Sequence, residues 1–165
     1  MPDVPRFRPH SADDFYRAYA IAMLNWQNVE SSLFRMYYGL FNGTNLSQAG
    51  AAYFSLESFG AKLRLVDATA KVVLDENAAK LWEKLKRRVE NSSGDRNVLA
   101  HLPASVEFQD DGACSLVLTA NIFVPTALVR RRKKKYDAAE CERLGMDFHA
   151  LAGAIDTFAE YPRES

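Results

Sequence analysis

The longest periodic stretch of the sequence is residues 11–41, SADDFYRAYAIAMLNWQNVESSLFRMYYGLF. Its apolar side chains recur every three or four residues, the spacing of one wide face on an amphipathic helix. Ser11 is a suitable N-cap, and the acidic residues that follow it favour the positive end of a helix dipole. The stretch therefore predicts a long first helix, whose apolar face comprises Phe15, Tyr19, Met23, Trp26, Val29, Leu33, Met36 and Leu40.

The same spacing predicts four further helices along the chain. The second covers about 47–74 and follows an NGTN turn, and the third covers about 76–91. The segment NSSGD ends the third helix and supplies Asp95 as the N-cap of a short helix, which must stop near Pro103. The last helix covers about 137–160, and its apolar stripe suits either core packing or a helical dimer seam.

The period of the sequence changes from helical to alternating before the last helix. Residues 104–120 alternate apolar and polar side chains around an Asp-Gly turn, which predicts a β-hairpin. Residues 1–11 read as a loose arm and 121–135 as a basic connector. These elements predict a mainly α fold, an up-and-down bundle of four to five helices in a single domain over 12–160, with a small β-hairpin inserted before the last helix.

The charges of the chain balance, with 21 basic and 21 acidic residues. This balance argues against a protein that coats nucleic acid without specificity. Six of the basic residues form one run, RRRKKK at 130–135, which leaves 15 positive and 21 negative charges elsewhere. The run is either a solvated segment or an element that follows the phosphates of RNA.

The cysteines and histidines do not show the spacing of a metal site. Cys114 and Cys141 match no CxxC pattern and read as free thiols of a reducing compartment. The first ten residues contain no apolar run of a signal peptide, and no stretch approaches the ~20 apolar residues of a membrane span. We therefore expect a cytoplasmic protein with no metal, no cofactor and no membrane partner.

The candidate functional residues lie in GDRNVLAHLP, residues 94–103. In a helix, Asn97 and His101 are four positions apart and share a face, so the amide can fix the imidazole tautomer. Arg96 and His101 are five positions apart, roughly 140° around the axis. The guanidinium therefore reaches a group near its own imidazole by its length, or acts beside the His101 of a second subunit.

An arginine and a histidine together have a chemistry that suits RNA. The guanidinium binds phosphate oxygens and stabilises charge on a phosphorane-like transition state. The imidazole takes part in proton transfer to or from the ribose 2′-hydroxyl or the leaving oxygen. The pair Arg96 and His101 is thus able to cleave RNA without a metal. The alternative is a structural role, in which Arg96 forms a salt bridge at the helix end and His101 is a half-buried histidine.

The pattern Arg96-Asn97-x-x-x-His101 before the last helix of a helical bundle resembles the HEPN superfamily (higher eukaryotes and prokaryotes nucleotide-binding). The resemblance extends over WQNVESSLF at 26–34 and SLESFGAKLRLVDA at 55–68. It implies an all-α bundle that dimerises and a metal-independent endoribonuclease of toxin, phage-defence or RNA-processing systems. By motif position, Arg96 and His101 are the implied catalytic pair and Asn97 the supporting polar residue.

The resemblance also implies partners, namely RNA or a nucleotide, a second copy of the chain and, in some members, a protein antitoxin or regulator. Members modified by a partner nucleotidyltransferase carry a tyrosine two residues after the histidine, where this chain has Pro103. Other members bind a nucleotide or a protein without catalysis. That module is the alternative function here, and a purely structural helical dimer is the second alternative.

Charged residues outside the motif complete the predicted site. Glu57 and Asp67 are candidates to orient Arg96, although a solvated surface role is the simpler interpretation of each. Arg64 is a candidate phosphate ligand or a surface ion pair. The predicted RNA-binding residues are Arg64, Arg130, Arg131, Arg132, Lys133, Lys134 and Lys135.

Overall fold

Helices account for most of the residues that the computed structural model describes, which are 6–7, 11–40, 45–108, 110, 113–119 and 135–160. Within these residues there are five helices and four strands, so the predicted mainly α fold with a β-hairpin before the last helix is confirmed. The helices are α1 Ser11–Leu40, α2 Leu46–Phe54, α3 Phe59–Val73, α4 Glu76–His101 and α5 Ala138–Ala159. The strands are β1 Arg6–Phe7, β2 Ala104–Phe108, β3 Ala113–Thr119 and β4 Lys135–Tyr136.

The first and last helices begin and end close to the predicted residues. α1 includes Ser11 as its first helical residue, so this serine is not the residue before the helix. The predicted end near Phe41 lies at the edge of the described residues. Before α5, the Asp137 carboxylate accepts a hydrogen bond of 2.9 Å from the Glu140 backbone N–H, which stabilises the first turn.

The predicted second helix over 47–74 is wrong, because the chain forms two helices, α2 and α3, with a break at 55–58. Two N-caps fix these helices. The Asn45 side chain accepts from the Gln48 N–H at 3.0 Å, and the Ser58 hydroxyl accepts from the Ala61 N–H at 3.2 Å. Ser58 has the extended backbone of an N-cap, φ −105° and ψ 143°, which a continuous helix does not allow.

The predicted break at NSSGD is also wrong, because α4 continues without interruption from Glu76 to His101. Asp95 therefore lies inside a helix and does not cap one. Serine and glycine are poor helix formers, but Val89 lies before this segment and Leu99 after it, and both are almost completely buried. The Ser93 hydroxyl also donates to the Glu90 carbonyl at 2.8 Å, so it is satisfied within the helix.

The chain divides into two compact units, unit 1 with residues 1–24 and 94–147 and unit 2 with residues 25–93 and 148–165. The single domain predicted over 12–160 stays a prediction. The core of unit 1 contains Phe15, Ala22, Val98, Leu99, Leu102, Cys114, Leu116, Leu118, Tyr136, Cys141 and Leu144. The core of unit 2 contains Trp26, Val29, Leu33, Met36, Tyr53, Leu63, Val66, Trp82, Leu85, Val89, Phe148, Leu151 and Ile155.

The sheet of unit 1 is organised around β3. β2 pairs with β3 in antiparallel register, Val106 opposite Leu116, which confirms the predicted hairpin. The Asp-Gly turn itself is outside the described residues. Two short strands pair with β3 as well, β1 in parallel and β4 in antiparallel orientation. Arg6 and Phe7 thus form a strand within the segment that the sequence predicts to be a loose arm.

Two glycines of α5 give a matched test of packing. An ideal Cβ atom at Gly145 lies 3.4 Å from the Cα atom of Ala22, whereas a Cβ atom at Gly153 has no neighbour within 4 Å among the residues that the structure describes. We expect Gly145→Leu to lower the free energy of unfolding by about 1–3 kcal/mol, because the side chain overpacks unit 1. Gly153→Leu should raise it by about 0.5–1 kcal/mol through helix propensity. Urea unfolding of both variants measures the difference, and equal effects would contradict the close packing at Gly145.

Candidate active site

The candidate site occupies the last six residues of α4. Because this helix continues to His101, the predicted helical geometry applies throughout the motif. Asn97 and His101 are about 40° apart around the axis, and Arg96 and His101 about 140° apart. Val98 and Leu99, which lie between them in the chain, are each 1% exposed. Their burial in unit 1 fixes the rotation of this turn, and it thereby fixes the directions in which the motif side chains leave the helix.

The Arg96 side chain is half-buried and bonded to its neighbour in the chain. Its Nη1 atom donates to Asn97 Oδ1 at 3.2 Å. Its Nε atom is buried and has no hydrogen-bond partner within the described part of the chain. Among the described residues, no carboxylate lies within ion-pair distance of this guanidinium. The positive charge of Arg96 is therefore partly withdrawn from water without a neutralising acid beside it, which disfavours the helix-end salt bridge as its role.

His101 is the last residue of α4 and is exposed. The chain leaves the helix directly after it, with the Leu102 N–H still bonded to the Val98 carbonyl at 3.0 Å. Exposure contradicts the interpretation of a half-buried histidine. Within the described part of the chain, no hydrogen bond joins His101 to Asn97. The amide of Asn97 is bonded to Arg96 instead. The sequence does not indicate this choice, because the positions of Arg96 and His101 both allow a contact with Asn97.

Asp67, which the sequence offers as an orienting group for Arg96, has other partners. Its carboxylate accepts from Trp82 Nε1 at 3.0 Å and from Lys86 Nζ at 3.1 Å, and Lys71 Nζ lies 2.8 Å away. Burial raises the pKa of this carboxyl, but the hydrogen bonds from Lys71, Trp82 and Lys86 outweigh it and lower the pKa overall. These contacts assign Asp67 to the framework of unit 2. A solvated surface role is wrong for this residue.

The structure describes three more of the predicted site residues outside the motif and the basic run, namely Glu57, Arg64 and Asp95. Glu57 is exposed in the break between α2 and α3, and Arg64 is exposed on α3. Asp95 precedes Arg96 within α4. Of the predicted basic run, Lys135 is described and forms an ion pair with Glu107 in unit 1, whereas Arg130, Arg131, Arg132, Lys133 and Lys134 lie outside the described residues.

The described residues contain no group of three or more His, Cys, Asp or Glu side chains placed to hold a metal ion. None of their helices is both long and apolar enough to cross a membrane. Cys114 and Cys141 are free, as the sequence predicts, and the structure shows that both are buried.

No protein-family model, curated protein or solved structure matches this chain. What can be inferred about its function therefore depends on the chemistry of its own side chains, first among them those at the end of α4.

Proposed function

We propose that the chain is a HEPN-like, metal-independent endoribonuclease that cleaves single-stranded or looped RNA as a homodimer. Arg96 binds the scissile phosphate, His101 transfers protons, and Asn97 supports the site. The observation that carries this proposal is the half-buried guanidinium of Arg96, which no carboxylate neutralises among the described residues and which shares six residues of helix with an exposed histidine. A toxin or phage-defence role in the cytoplasm belongs to the same proposal.

The charge of Arg96 is suited to a phosphate. A guanidinium stays protonated at every physiological pH and presents its N–H groups in a plane that matches two phosphate oxygens. Burial strengthens its attraction for an anion, because water screens the charge less than at an exposed site. Asn97 restricts the guanidinium through the hydrogen bond to Nη1, and this restriction lowers the entropy that binding has to remove.

His101 supplies the proton transfer of the reaction. Its imidazole, as a base, removes the proton of a ribose 2′-hydroxyl, whose oxygen attacks the neighbouring phosphorus atom. The bond from phosphorus to the 5′-oxygen breaks, and that oxygen takes up a proton from water, to which the His101 imidazolium returns the proton that it removed. The products are a 2′,3′-cyclic phosphate and a 5′-hydroxyl. Negative charge on the phosphorane-like transition state is stabilised by the guanidinium of Arg96.

The divergence of the two side chains favours a site made by two copies of the chain. Arg96 and His101 leave the helix about 140° apart. A two-fold symmetric dimer has two such sites, and each consists of Arg96 from one protomer and His101 from its partner. Light scattering of the purified protein tests this part of the proposal, and a strict monomer that cleaves RNA would contradict it.

The deciding experiment is cleavage of end-labelled single-stranded RNA with EDTA present throughout. We expect the wild type to cleave and His101→Ala to be at least about 100-fold slower, the usual contribution of a positioned general base. Because His101 is exposed, the variant should keep its circular dichroism spectrum and its unfolding midpoint.

The matched control is His149→Ala, which removes an exposed histidine from α5. We expect it to cleave at the wild-type rate. RNA with a 2′-deoxy residue at the cleavage position should resist the wild type, since the nucleophile is then missing. Equal loss of activity in both histidine variants, or cleavage that EDTA abolishes, would contradict the assigned mechanism.

A non-catalytic binding module is the second candidate function. It is favoured by one observation, the hydrogen bond that joins Asn97 to Arg96, because this bond prepares an anion site without orienting the histidine. RNA or nucleotide binding that depends on Arg96, with no turnover by any variant, would favour this candidate over the nuclease.

A further inference from the structure

Four basic side chains lie on one face of α4, ahead of the motif. Lys80, Lys84, Arg87 and Arg88 are all exposed, and their positions fall within an arc of about 100° around the helix axis. They extend over about 12 Å along the axis. We call these four residues the basic face of α4. All of them belong to unit 2.

Acidic side chains neutralise little of this face. Glu76 pairs with Lys80 at 2.6 Å, and Glu83 pairs at 2.6 Å with Lys86, which lies outside the face. Glu90, three positions after Arg87, is exposed and forms no ion pair with it. Within the part of the chain that the structure describes, Lys84, Arg87 and Arg88 have no acidic partner. Three adjacent positive charges are therefore available to a ligand.

The arrangement has a cost for the isolated helix. Lys84 lies four positions from Lys80, three from Arg87 and four from Arg88, and like charges at these spacings destabilise a helix by about 0.2–0.5 kcal/mol per pair. The whole chain is electrically neutral, so the face is a local concentration of charge and not part of a generally basic protein. A bound polyanion would offset this repulsion.

We propose that the basic face of α4 binds the sugar-phosphate backbone of single-stranded RNA. The inference rests on the proposed function, which makes RNA the substrate, and it adds a binding surface to the residues that the sequence predicts. Lysine and arginine contacts to phosphate give affinity without reading sequence. A membrane surface is a poorer ligand, because the apolar side of α4, with Trp82, Leu85 and Val89, is buried in the core and has no route into lipid.

The test measures RNA binding in EDTA, in a His101→Ala background so that no RNA is cleaved. The probe is a fluorescein-labelled single strand of about 12 nucleotides, within the usual site sizes. The variant K84Q/R87Q/R88Q removes the three unpaired charges. We expect its Kd to rise about tenfold, and the slope of log K against log salt to fall in magnitude by about 2, since each phosphate contact on a single strand contributes about 0.7.

The control variant R17Q/R35Q/R143Q removes the same net charge from exposed positions on α1 and α5. It should keep the wild-type salt slope, because Arg17 and Arg35 lie 18 positions, about 27 Å, apart along α1. Arg35 and Arg143 are also already paired with acidic side chains. Equal slopes for the two triple variants would overturn the proposal, since net charge alone would then explain the binding. The proposal would also be overturned if the protein bound to anionic phosphatidylserine vesicles or to a poly-glutamate peptide but did not bind RNA.

Further readings separate this inference from the nuclease proposal. Cleavage that depends on His101, combined with an unchanged salt slope in K84Q/R87Q/R88Q, would reject the basic face and leave the nuclease standing. RNA binding that depends on the basic face of α4, without any cleavage, would reject the nuclease and leave the binding surface standing. If the triple variant loses its fold, the single variants K84Q, R87Q and R88Q are each expected to lower the slope by about 0.7.

Discussion

Trp26→Ala should lower the free energy of unfolding by about 3–5 kcal/mol, the range for removing a large aromatic side chain from a packed core. Trp26 is 1% exposed. Its ring lies edge-on to two others, with centroids 4.8 Å from Phe59 and 5.3 Å from Phe148. The substitution therefore leaves a cavity between α1, α3 and α5, which the rigid helices around it cannot collapse to fill.

The indole also takes part in a polar cluster. Trp26 Nε1 donates to Glu30 Oε1 at 2.9 Å, while Glu30 Oε2 accepts from Lys62 Nζ at 3.2 Å. The Lys62 ammonium lies 5.5 Å from the centre of the Tyr53 ring, in the range of a cation–π contact. Loss of the indole thus removes one of the donors that hold the Glu30 carboxylate in place.

Urea unfolding followed by circular dichroism measures the effect of Trp26→Ala. Trp26→Phe is the matched control, because it keeps an aromatic ring and loses the N–H donor, and we expect it to cost less than half as much. A loss below about 1 kcal/mol for Trp26→Ala would contradict the packing described for unit 2, since surface substitutions have effects of that size.

The second large effect is expected at Asp67. Asp67→Ala removes the acceptor of two donors, Nε1 of the buried Trp82 and Nζ of Lys86, whose side chain is only 14% exposed. The buried indole N–H then has lost its acceptor, and Lys86 keeps Glu83 as its acidic partner. We expect a loss of about 2–3 kcal/mol in the free energy of unfolding, measured by urea unfolding at pH 7.

Asp67→Asn isolates the charge from the hydrogen bond and predicts a dependence on pH. The pKa of Asp67 is lower in the folded chain than its ordinary value of 3.8. A lowered pKa contributes stability that is fully present above the ordinary value and is lost as the pH falls through the folded value. The difference between wild type and Asp67→Asn should therefore be constant from pH 7 to about pH 5 and shrink below about pH 4. A difference that grows on acidification would contradict the sign.

The parts of the fold that the sequence predicts correctly are those with a long, uninterrupted apolar stripe. α1 and α5 each bury one face along their length, so the three-four spacing alone indicates them. The hairpin is indicated by the change to a period of two and by the Asp-Gly turn. β1 and β4, of two residues each, carry no local signal because they exist through pairing with β3.

The errors concern helix boundaries at which local and tertiary preferences conflict. Leu56 and Phe59 continue the apolar spacing of α2 into α3, which conceals the break that the Ser58 cap imposes. In α4 the conflict is reversed, since the Ser-Ser-Gly segment disfavours a helix that buried residues on both sides maintain. At the candidate site, the helical spacing predicted for Arg96 and His101 agrees with α4, which continues to His101. Spacing does not decide which neighbour Asn97 holds, because the guanidinium and the imidazole are both within its reach.

The cysteines and tryptophans of the chain are distributed so that each type reports on the unfolding of a different unit. Both cysteines, Cys114 and Cys141, are buried in unit 1, and both tryptophans, Trp26 and Trp82, are buried in unit 2. Burial, together with the nearby Asp137 and Glu140, raises the pKa of the Cys141 thiol to about 11, so it reacts with alkylating reagents only after local opening. Thiol trapping therefore follows unit 1 and intrinsic fluorescence follows unit 2. If the denaturant midpoints of the two signals coincide, the two units unfold together in one cooperative transition. If the midpoints differ, an intermediate with one folded unit exists, and mutations in either unit can populate it.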